Sequence, residues 1–120
     1  MTDRRRAAER RGRRGELFAA LWLMAKGYRI LAQRARTPFG EVDLAALKSG
    51  VLVIIEVKAR PDEATGLGAV LPYQQQRLER AAASLAGKWR LMTAPIRFDV
   101  VVVRPWAAPL HIRDAWRSAR

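Results

Sequence analysis

The strongest constraint on the fold is the run Val-Leu-Val-Ile-Ile-Glu-Val-Lys at Val51–Lys58. β-Branched residues dominate it, which predicts a strand extending to about Ala59. Because it is apolar on both faces until Glu56, we expect a central strand covered by helices on both sides. The segment Lys48-Ser49-Gly50 predicts a tight hairpin that joins this strand to a preceding one at Glu41–Leu47. These features predict an α/β protein.

The remaining pattern completes an α-β-β-β-α-β order. Apolar residues at helical spacing predict a first helix over Gly15–Lys26, ended by Gly27. The apolar stripe that recurs at this spacing consists of Leu17, Ala20, Leu21 and Met24. The other predicted elements are a strand at Tyr28–Arg34, a turn at 37–40, a loop at Arg60–Ala69, a helix from Pro72 to about Trp89, and strands at Ile96–Val103 and Leu110–Ile112. A crossover of this length places the fourth strand parallel to the third in a mixed sheet.

Charge predicts a polyanionic partner. The chain of 120 residues has 23 Lys and Arg against 11 Asp and Glu, a net charge of +12. Residues 1–14 form an Arg-rich arm, which we expect to be poorly ordered without nucleic acid and to lie along phosphates. Residues 15–120 are predicted to form one domain. The arginines expected to bind nucleic acid from the arm are Arg4, Arg5, Arg6, Arg10, Arg11, Arg13 and Arg14.

Composition excludes several classes of protein. With no Cys and one His, the chain has no disulfide framework, thiolate metal site or His-rich metal site. The longest apolar runs are too short to span a bilayer, and no predicted helix pairs a basic face with a bulky apolar one. We therefore expect a small cytoplasmic protein with DNA as its partner and no membrane contact. The oligomeric state stays open, a homodimer included.

Two carboxylates are predicted to face each other across the hairpin. A two-residue turn at Ser49-Gly50 opposes Asp43 to Glu56 and Glu41 to Lys58, all four on one face. Opposed carboxylates repel unless a cation lies between them, and a hard divalent ion such as Mg²⁺ prefers oxygen ligands. The competing interpretation is that Glu56 and Lys58 form surface ion pairs at the exposed end of the strand.

Several motifs in order resemble one bacterial family. They are Gly15-Glu16, Gly27-Tyr28, Gly40-Glu41-Val42-Asp43-Leu44, Glu56-Val57-Lys58-Ala59-Arg60 and Arg97-Phe98-Asp99-Val100-Val101. The sequence resembles the YraN-type (UPF0102) proteins, which have the restriction-endonuclease-like PD-(D/E)xK fold. The resemblance implies that Asp43 and Glu56 bind Mg²⁺ or Mn²⁺, that Lys58 assists cleavage of phosphodiesters, and that Glu16 is a helix-borne carboxylate of the site. The superfamily's Pro before the Asp is replaced by Val42.

Further roles follow if the protein is a nuclease. The backbone carbonyl of Val57 is a candidate metal ligand, and Arg60 a candidate contact to the nucleic-acid backbone. Gln74 is a weaker candidate, because relatives often have Lys at about this place, and Glu41 is another, as a partner of Lys58. We expect Trp22 and Trp89 in the core, and Arg97 pairing with Asp99. His111 stands alone in the sequence, with no expected catalytic or ligand role.

The leading hypothesis is a Mg²⁺-dependent endonuclease of DNA, with branched or otherwise structured DNA as a candidate substrate. The alternatives are a nucleic-acid-binding protein that keeps the fold without turnover, and an interaction subunit that delivers a partner to nucleic acid. Clustered carboxylates facing a polyanion favour the enzyme, because a pure binder has no use for them.

Overall fold

The computed structural model describes residues 3–58, 70–105 and 107–117, without the side chains of residues 4–11. These residues form two helices and five strands. In chain order the elements are α1 (Asp3–Ala25), β1 (Arg29–Thr37), β2 (Gly40–Lys48), β3 (Val51–Lys58), α2 (Pro72–Lys88), β4 (Ile96–Val102) and β5 (Leu110–Trp116). The predicted loop at Arg60–Ala69 lies outside the described residues.

The strands form one mixed sheet in the order β1-β2-β3-β4-β5. The first three strands run antiparallel to one another, β4 is parallel to β3, and β5 is antiparallel to β4. The predicted α/β architecture with a mixed sheet flanked by helices is therefore confirmed, and it is compatible with a restriction-endonuclease-like core. The last strand is longer than predicted and ends at Trp116.

Strand β3 supplies both layers of the core. Val53 and Ile55 belong to the cluster on the α1 side, together with Leu23. Leu52 and Ile54 belong to the opposite cluster, where α2 packs Leu78 and Leu85. This confirms the prediction, from a run apolar on both faces, that the strand is central. Trp22 and Trp89 are partly buried against these clusters, which agrees with their predicted core positions.

The buried face of α1 differs from the apolar stripe of the sequence. Ala19, Ala20 and Leu23 are buried against the sheet, whereas Leu17, Leu21 and Met24 are about half exposed. The recurrence predicted the helix correctly, but of the four residues in that apolar stripe only Ala20 is buried. Two apolar stripes overlap on this helix, and the smaller side chains allow its backbone closer to the sheet.

Helix α1 also begins earlier than predicted, at Asp3 rather than Gly15. Its end agrees with the sequence: Gly27 has φ +93° just past the helix, and the N–H of Tyr28 donates to the carbonyl of Leu23 at 3.0 Å. The backbone of the Arg-rich arm thus continues the helix. That the arm needs nucleic acid to become well ordered stays a prediction.

Candidate metal and nucleic-acid site

The hairpin between β2 and β3 has the predicted register. Lys48 pairs with Val51 and Leu44 with Ile55, across a turn in which Ser49 and Gly50 both have positive φ. Backbone pairing ends there, one position before Asp43 would oppose Glu56. Beyond this point the side chain of Asp43, rather than its backbone, contacts β3: its Oδ2 accepts the N–H of Val57 at 2.9 Å. The carboxylate of Asp43 is thereby tied to the residue next to Glu56.

Strand β2 changes the face of its side chains at Asp43. Val42 belongs to the core cluster on the α2 side, whereas Leu44 belongs to the cluster on the α1 side. In a regular strand these alternate positions share a face. Beside this irregularity β1 has Arg34 at φ 50°. The local twist leaves Asp43 at the edge where the two layers meet, within reach of α1 as well as β3.

Glu56 is held in an unfavourable environment for a carboxylate. Burial raises its pKa to about 8, and the Asp43 carboxyl adds to this through its charge and through a hydrogen bond. The charges of Lys58 and Arg77 act in the opposite direction without cancelling the effect. The Oε2 atom of Glu56 is buried and has no hydrogen-bond partner within the described part of the chain. A buried oxygen in this state favours protonation or a bound cation.

Glu16 reaches the same site from α1. Its side chain is 12% exposed, and its Oε1 accepts a hydrogen bond from Nε of Arg34 at 2.6 Å. Burial raises the pKa of Glu16, and the charge of Asp43 raises it further, although Arg34 partly opposes both. The electrostatic coupling runs from Glu16 to Asp43 and from Asp43 to Glu56. Asp43 is therefore the central carboxylate.

The described side chains do not by themselves form a complete set of metal ligands. In residues 3–58, 70–105 and 107–117, no three His, Asp or Glu side chains are grouped closely enough to hold a metal ion together. The donor chemistry nevertheless fits a hard divalent cation, since Asp43 and Glu56 supply neighbouring carboxylate oxygens, one of them buried and unpartnered. Mg²⁺ commonly uses one or two carboxylates and completes its shell with waters or substrate phosphates.

Several other predicted site residues have different partners from those expected. Glu41 does not oppose Lys58 in the β2–β3 ladder; its carboxylate lies 3.7 Å from Nε of Arg36. Gln74 acts at the start of α2, where its Oε1 accepts the N–H of Leu71 at 3.1 Å. Lys58 ends β3, and its charge lowers the pKa of Glu56, so its ammonium lies near that carboxyl group; its role at the site stays a prediction.

Two arginines near the site were missed from the sequence. Arg34 holds Glu16, and Arg77 donates from Nη1 to the carbonyls of Phe39 and Glu41 at 3.2 and 3.1 Å. Arg77 follows Gln74 by three residues, a spacing that puts both on one face of the helix and could have drawn attention to it. No pattern in the sequence pairs Arg34 with Glu16, because that contact depends on how α1 lies across β1.

The predicted nucleic-acid contacts are described only in part. The side chains of Arg13 and Arg14 are exposed on α1. Arg60 lies outside the described residues, as do the side chains of Arg4, Arg5, Arg6, Arg10 and Arg11.

A polar cluster far from the hairpin edge was also missed. Arg97 and Asp99 form the predicted ion pair at 2.8 Å, but His111 does not stand alone, because its Nε2 lies 2.8 Å from the same carboxylate. Its side chain is 4% exposed. The register of β4 and β5, which sets Val101 opposite His111, creates this contact.

Comparison with known proteins identifies the family. The model of "Uncharacterised protein family UPF0102" matches residues 15–103. The chain belongs to the UPF0102 family. A UPF0102 protein of Caulobacter vibrioides is 48% identical over 114 residues, covering 94% of this chain and 91% of the relative. One of Parvibaculum lavamentivorans is 47% identical over 112 residues, covering 92% and 84%. Another, of Agrobacterium fabrum, is 48% identical over 122 residues, covering 96% and 95%.

The UPF0102 match includes every carboxylate of the candidate site and ends before β5. Neither helix in the described part of this UPF0102 protein is both long and apolar enough to cross a membrane.

Proposed function

We propose that this UPF0102 protein is a Mg²⁺- or Mn²⁺-dependent endonuclease of DNA and a member of the restriction-endonuclease-like superfamily. The observation that carries the proposal is the pair Asp43 and Glu56, two coupled carboxylates at the edge of a strongly basic protein. A raised pKa, and a buried oxygen with no partner among the described residues, are costly to a structure that uses Glu56 only for stability. Perturbed carboxyl groups of this kind cluster at functional sites.

Asp43 and Glu56 are the residues that would hold the cation, with the carbonyl of Val57 beside them. The carbonyl of Lys58 accepts the N–H of Val103 on the β4 side at 2.7 Å. Alternation along the strand therefore directs the polar groups of Val57 toward β2, where its N–H meets Asp43. A bound Mg²⁺ would acidify a water and polarise a phosphoryl oxygen.

Lysine and arginine side chains of this chain would bind the phosphate of the substrate or neutralise its charge. Lys58 neutralises negative charge that develops on the phosphoryl group or positions the attacking water. Arg34 binds one oxygen of Glu16, Oε1, so the second oxygen of that carboxylate is the one that would add to the site. The arm supplies sequence-independent affinity for the backbone, because Arg side chains displace condensed counterions from phosphates.

The decisive experiment is a Mg²⁺ and Mn²⁺ titration with duplex, single-stranded and branched DNA and with RNA. Cleavage of at least one DNA substrate should require the metal and disappear in Glu56→Gln and Asp43→Asn. Lys58→Met should bind metal, measured by calorimetry, without turnover. Glu41→Gln is the matched control, because it removes a carboxylate of the same strand whose ion pair within the described residues is with the exposed Arg36.

Two results would contradict the proposal. The first is retention of any cleavage by Glu56→Gln in proportion to the folded protein. The second is tight, metal-independent binding to all nucleic acids with no cleavage of any substrate. The second result would leave a nucleic-acid-binding protein of nuclease fold, the competing function.

A further inference from the structure

A second cluster of polar groups lies at the other end of α1, where the helix meets β4 and β5. Its members are Lys26, Asp99 and His111. Roughly 15 Å of helix axis separates Lys26 from Glu16, at about 1.5 Å per residue. The cluster therefore shares no residue with the carboxylate site, and His111 lies beyond residue 103, where the family match ends.

Asp99 lies at the centre of this cluster. It is fully buried, and its two oxygens accept four hydrogen bonds of 2.8–2.9 Å, from Nε and Nη2 of Arg97, from Nε2 of His111 and from the N–H of Asp114. Burial by itself raises its pKa, but His111, Arg97 and the Asp114 N–H together outweigh burial and lower the pKa to about 2. Because this carboxylate stays ionised, Nε2 of His111 is assigned as the protonated nitrogen.

That tautomer leaves Nδ1 of His111 as an acceptor, and Lys26 occupies it. The ammonium Nζ of Lys26 lies 2.8 Å from Nδ1 and 4.3 Å from the centre of the Trp22 ring. Trp22 and Tyr28 both pack against the imidazole, with ring centres 5.9 and 5.8 Å away. Lys26 itself is exposed, so its amine is open to a ligand while its partner is buried.

The charges around Lys26 favour loss of its proton. Partial burial lowers its pKa, and the nearby cations Arg113 on β5, Lys48 on β2 and Arg97 on β4 lower it further. The charge of Asp99 opposes this without reversing it, and the face of Trp22 also favours the ammonium form. A lysine placed among other cations and next to a base is one of the recognised ways of activating an amine.

We propose that Lys26 is a nucleophilic amine that condenses with a phosphate-bearing aldehyde, with His111 as its proton acceptor and Asp99 orienting the imidazole. His111 takes a proton from the Lys26 ammonium at Nδ1, and Asp99 stabilises the imidazolium. The free amine attacks the carbonyl carbon to form a carbinolamine. His111 returns the proton to the hydroxyl group, which leaves as water as the nitrogen lone pair forms the C=N bond, and a protonated imine that carries the original positive charge remains. No oxidant, metal or cofactor is consumed.

The surrounding cations select for phosphate on the aldehyde. Arg113 and Lys48 lie close enough to act on the charge of Lys26, and both are cations that can neutralise a phosphate. An aldehyde of this class occurs in the ring-opened sugar of an abasic site in DNA and in small phosphorylated aldehydes. The proposal does not depend on the carboxylate site or on nuclease activity.

The test is reductive trapping on the full chain in chelator-containing buffer. The protein is incubated with sodium cyanoborohydride and either a duplex with one abasic site or pyridoxal phosphate, and adducts are mapped by peptide mass spectrometry. An intact duplex is the substrate control. The chain has four lysines, Lys26, Lys48, Lys58 and Lys88, so assignment is direct. We expect modification mainly at Lys26, with the more reactive probe identifying the source of the aldehyde.

Variants separate reactivity from fold. Lys26→Arg keeps a cation that can donate to His111 but cannot form an imine, so trapping should fall to background with unfolding unchanged. His111→Gln should slow trapping at Lys26 about tenfold or more. Lys88→Arg, on the exposed end of α2, is the matched control and should leave trapping unchanged.

Adducts spread evenly over the four lysines, or a pH profile at Lys26 equal to that at Lys88, would overturn the proposal. So would full trapping in Lys26→Arg. Glu56→Gln separates this test from that of the nuclease, because it should abolish cleavage and leave trapping intact.

Discussion

Asp99 and Glu56, one fully and one partly buried, meet opposite electrostatic conditions. Asp99 accepts four hydrogen bonds and lies beside Arg97, so its pKa is lowered to about 2 despite burial. Glu56 is partly buried beside another carboxyl group, its Oε2 has no partner among the described residues, and its pKa is raised to about 8. Burial disfavours both charges, and the partners decide the outcome. Asp99 therefore stabilises the fold as an anion, whereas ionised Glu56 destabilises it.

This contrast gives a pH dependence for Glu56. Its pKa is higher in the folded state than its ordinary value of 4.5, so the folded protein binds more protons than the unfolded chain between pH 4.5 and about 8. Stability contributed by this group is complete below pH 4.5 and falls as the pH rises to about 8. Glu56→Gln should therefore raise the free energy of unfolding at pH 8, on the order of 1–3 kcal/mol, and change it little at pH 4.5.

Chemical denaturation of both proteins across this pH range measures the effect. Added Mg²⁺ should stabilise the parent chain at pH 8 and leave Glu56→Gln unaffected, since binding to the folded state alone raises stability. Equal pH profiles for the two proteins would show that Glu56 is not the group that titrates.

At the scale of elements, α1 packs through small side chains rather than through its largest ones. Ala19 and Ala20 are buried beside Leu23, whereas Leu21, directly after Ala20, is 56% exposed. The close approach brings Glu16, on the same helix, to the hairpin edge between β2 and β3. Helix α2 packs against the other face of the sheet, where Leu78 and Leu85 are buried and Arg77 contacts the start of β2.

The orientation of α1 is testable with two leucines of one helix. Leu23→Ala should lower the free energy of unfolding by about 2–5 kcal/mol, because it leaves a cavity in a fully buried position. Leu21→Ala should cost under about 1 kcal/mol, since alanine loses little at an exposed helix site. Thermal and denaturant unfolding compare the two variants. Equal losses, or a larger loss for Leu21, would contradict this orientation.

At the scale of the whole molecule, the charge is unevenly divided between the arm and the remaining chain. Residues 1–14 hold seven Arg against Asp3 and Glu9, so they supply +5 of the net charge of +12. Among the side chains of α1 that the structure describes, Ala19, Ala20 and Leu23 are buried in the core, whereas Arg13 and Arg14 of the arm are exposed. We therefore expect the arm to add charge to the molecule rather than core contacts.

Removal of residues 2–14 should separate these contributions. The midpoint of thermal unfolding should stay nearly unchanged, while DNA affinity falls and its dependence on salt flattens, by about 0.9 in logarithmic slope for each phosphate that the protein no longer neutralises. Fluorescence anisotropy over a salt series measures the slope. A full-length variant with the arm arginines changed to Gln keeps helix propensity and should behave as the truncation does. A large drop in the unfolding midpoint on truncation alone would assign the arm to the fold.

The sequence by itself determined the order of elements, the central position of β3 and the register of the hairpin. These depend on local signals: a run apolar on both faces, a Ser-Gly turn that admits positive φ, and a glycine after α1. Nearness of Asp43 to Glu56 followed from the same register. The family also could be inferred, because its motifs lie along most of the chain.

The tertiary structure alone decided which face of α1 is buried, the hydrogen bond between Arg34 and Glu16, and the pKa shifts of Asp99 and Glu56. Each depends on contacts between elements that are distant in sequence, and the periodicity of apolar residues does not predict such contacts. His111 shows this most clearly: a solitary histidine in the sequence becomes the link between Asp99 and Lys26, because β5 pairs with β4 beneath the end of α1. Burial and partners set an ionisable group's chemistry, and both exist only in the folded chain.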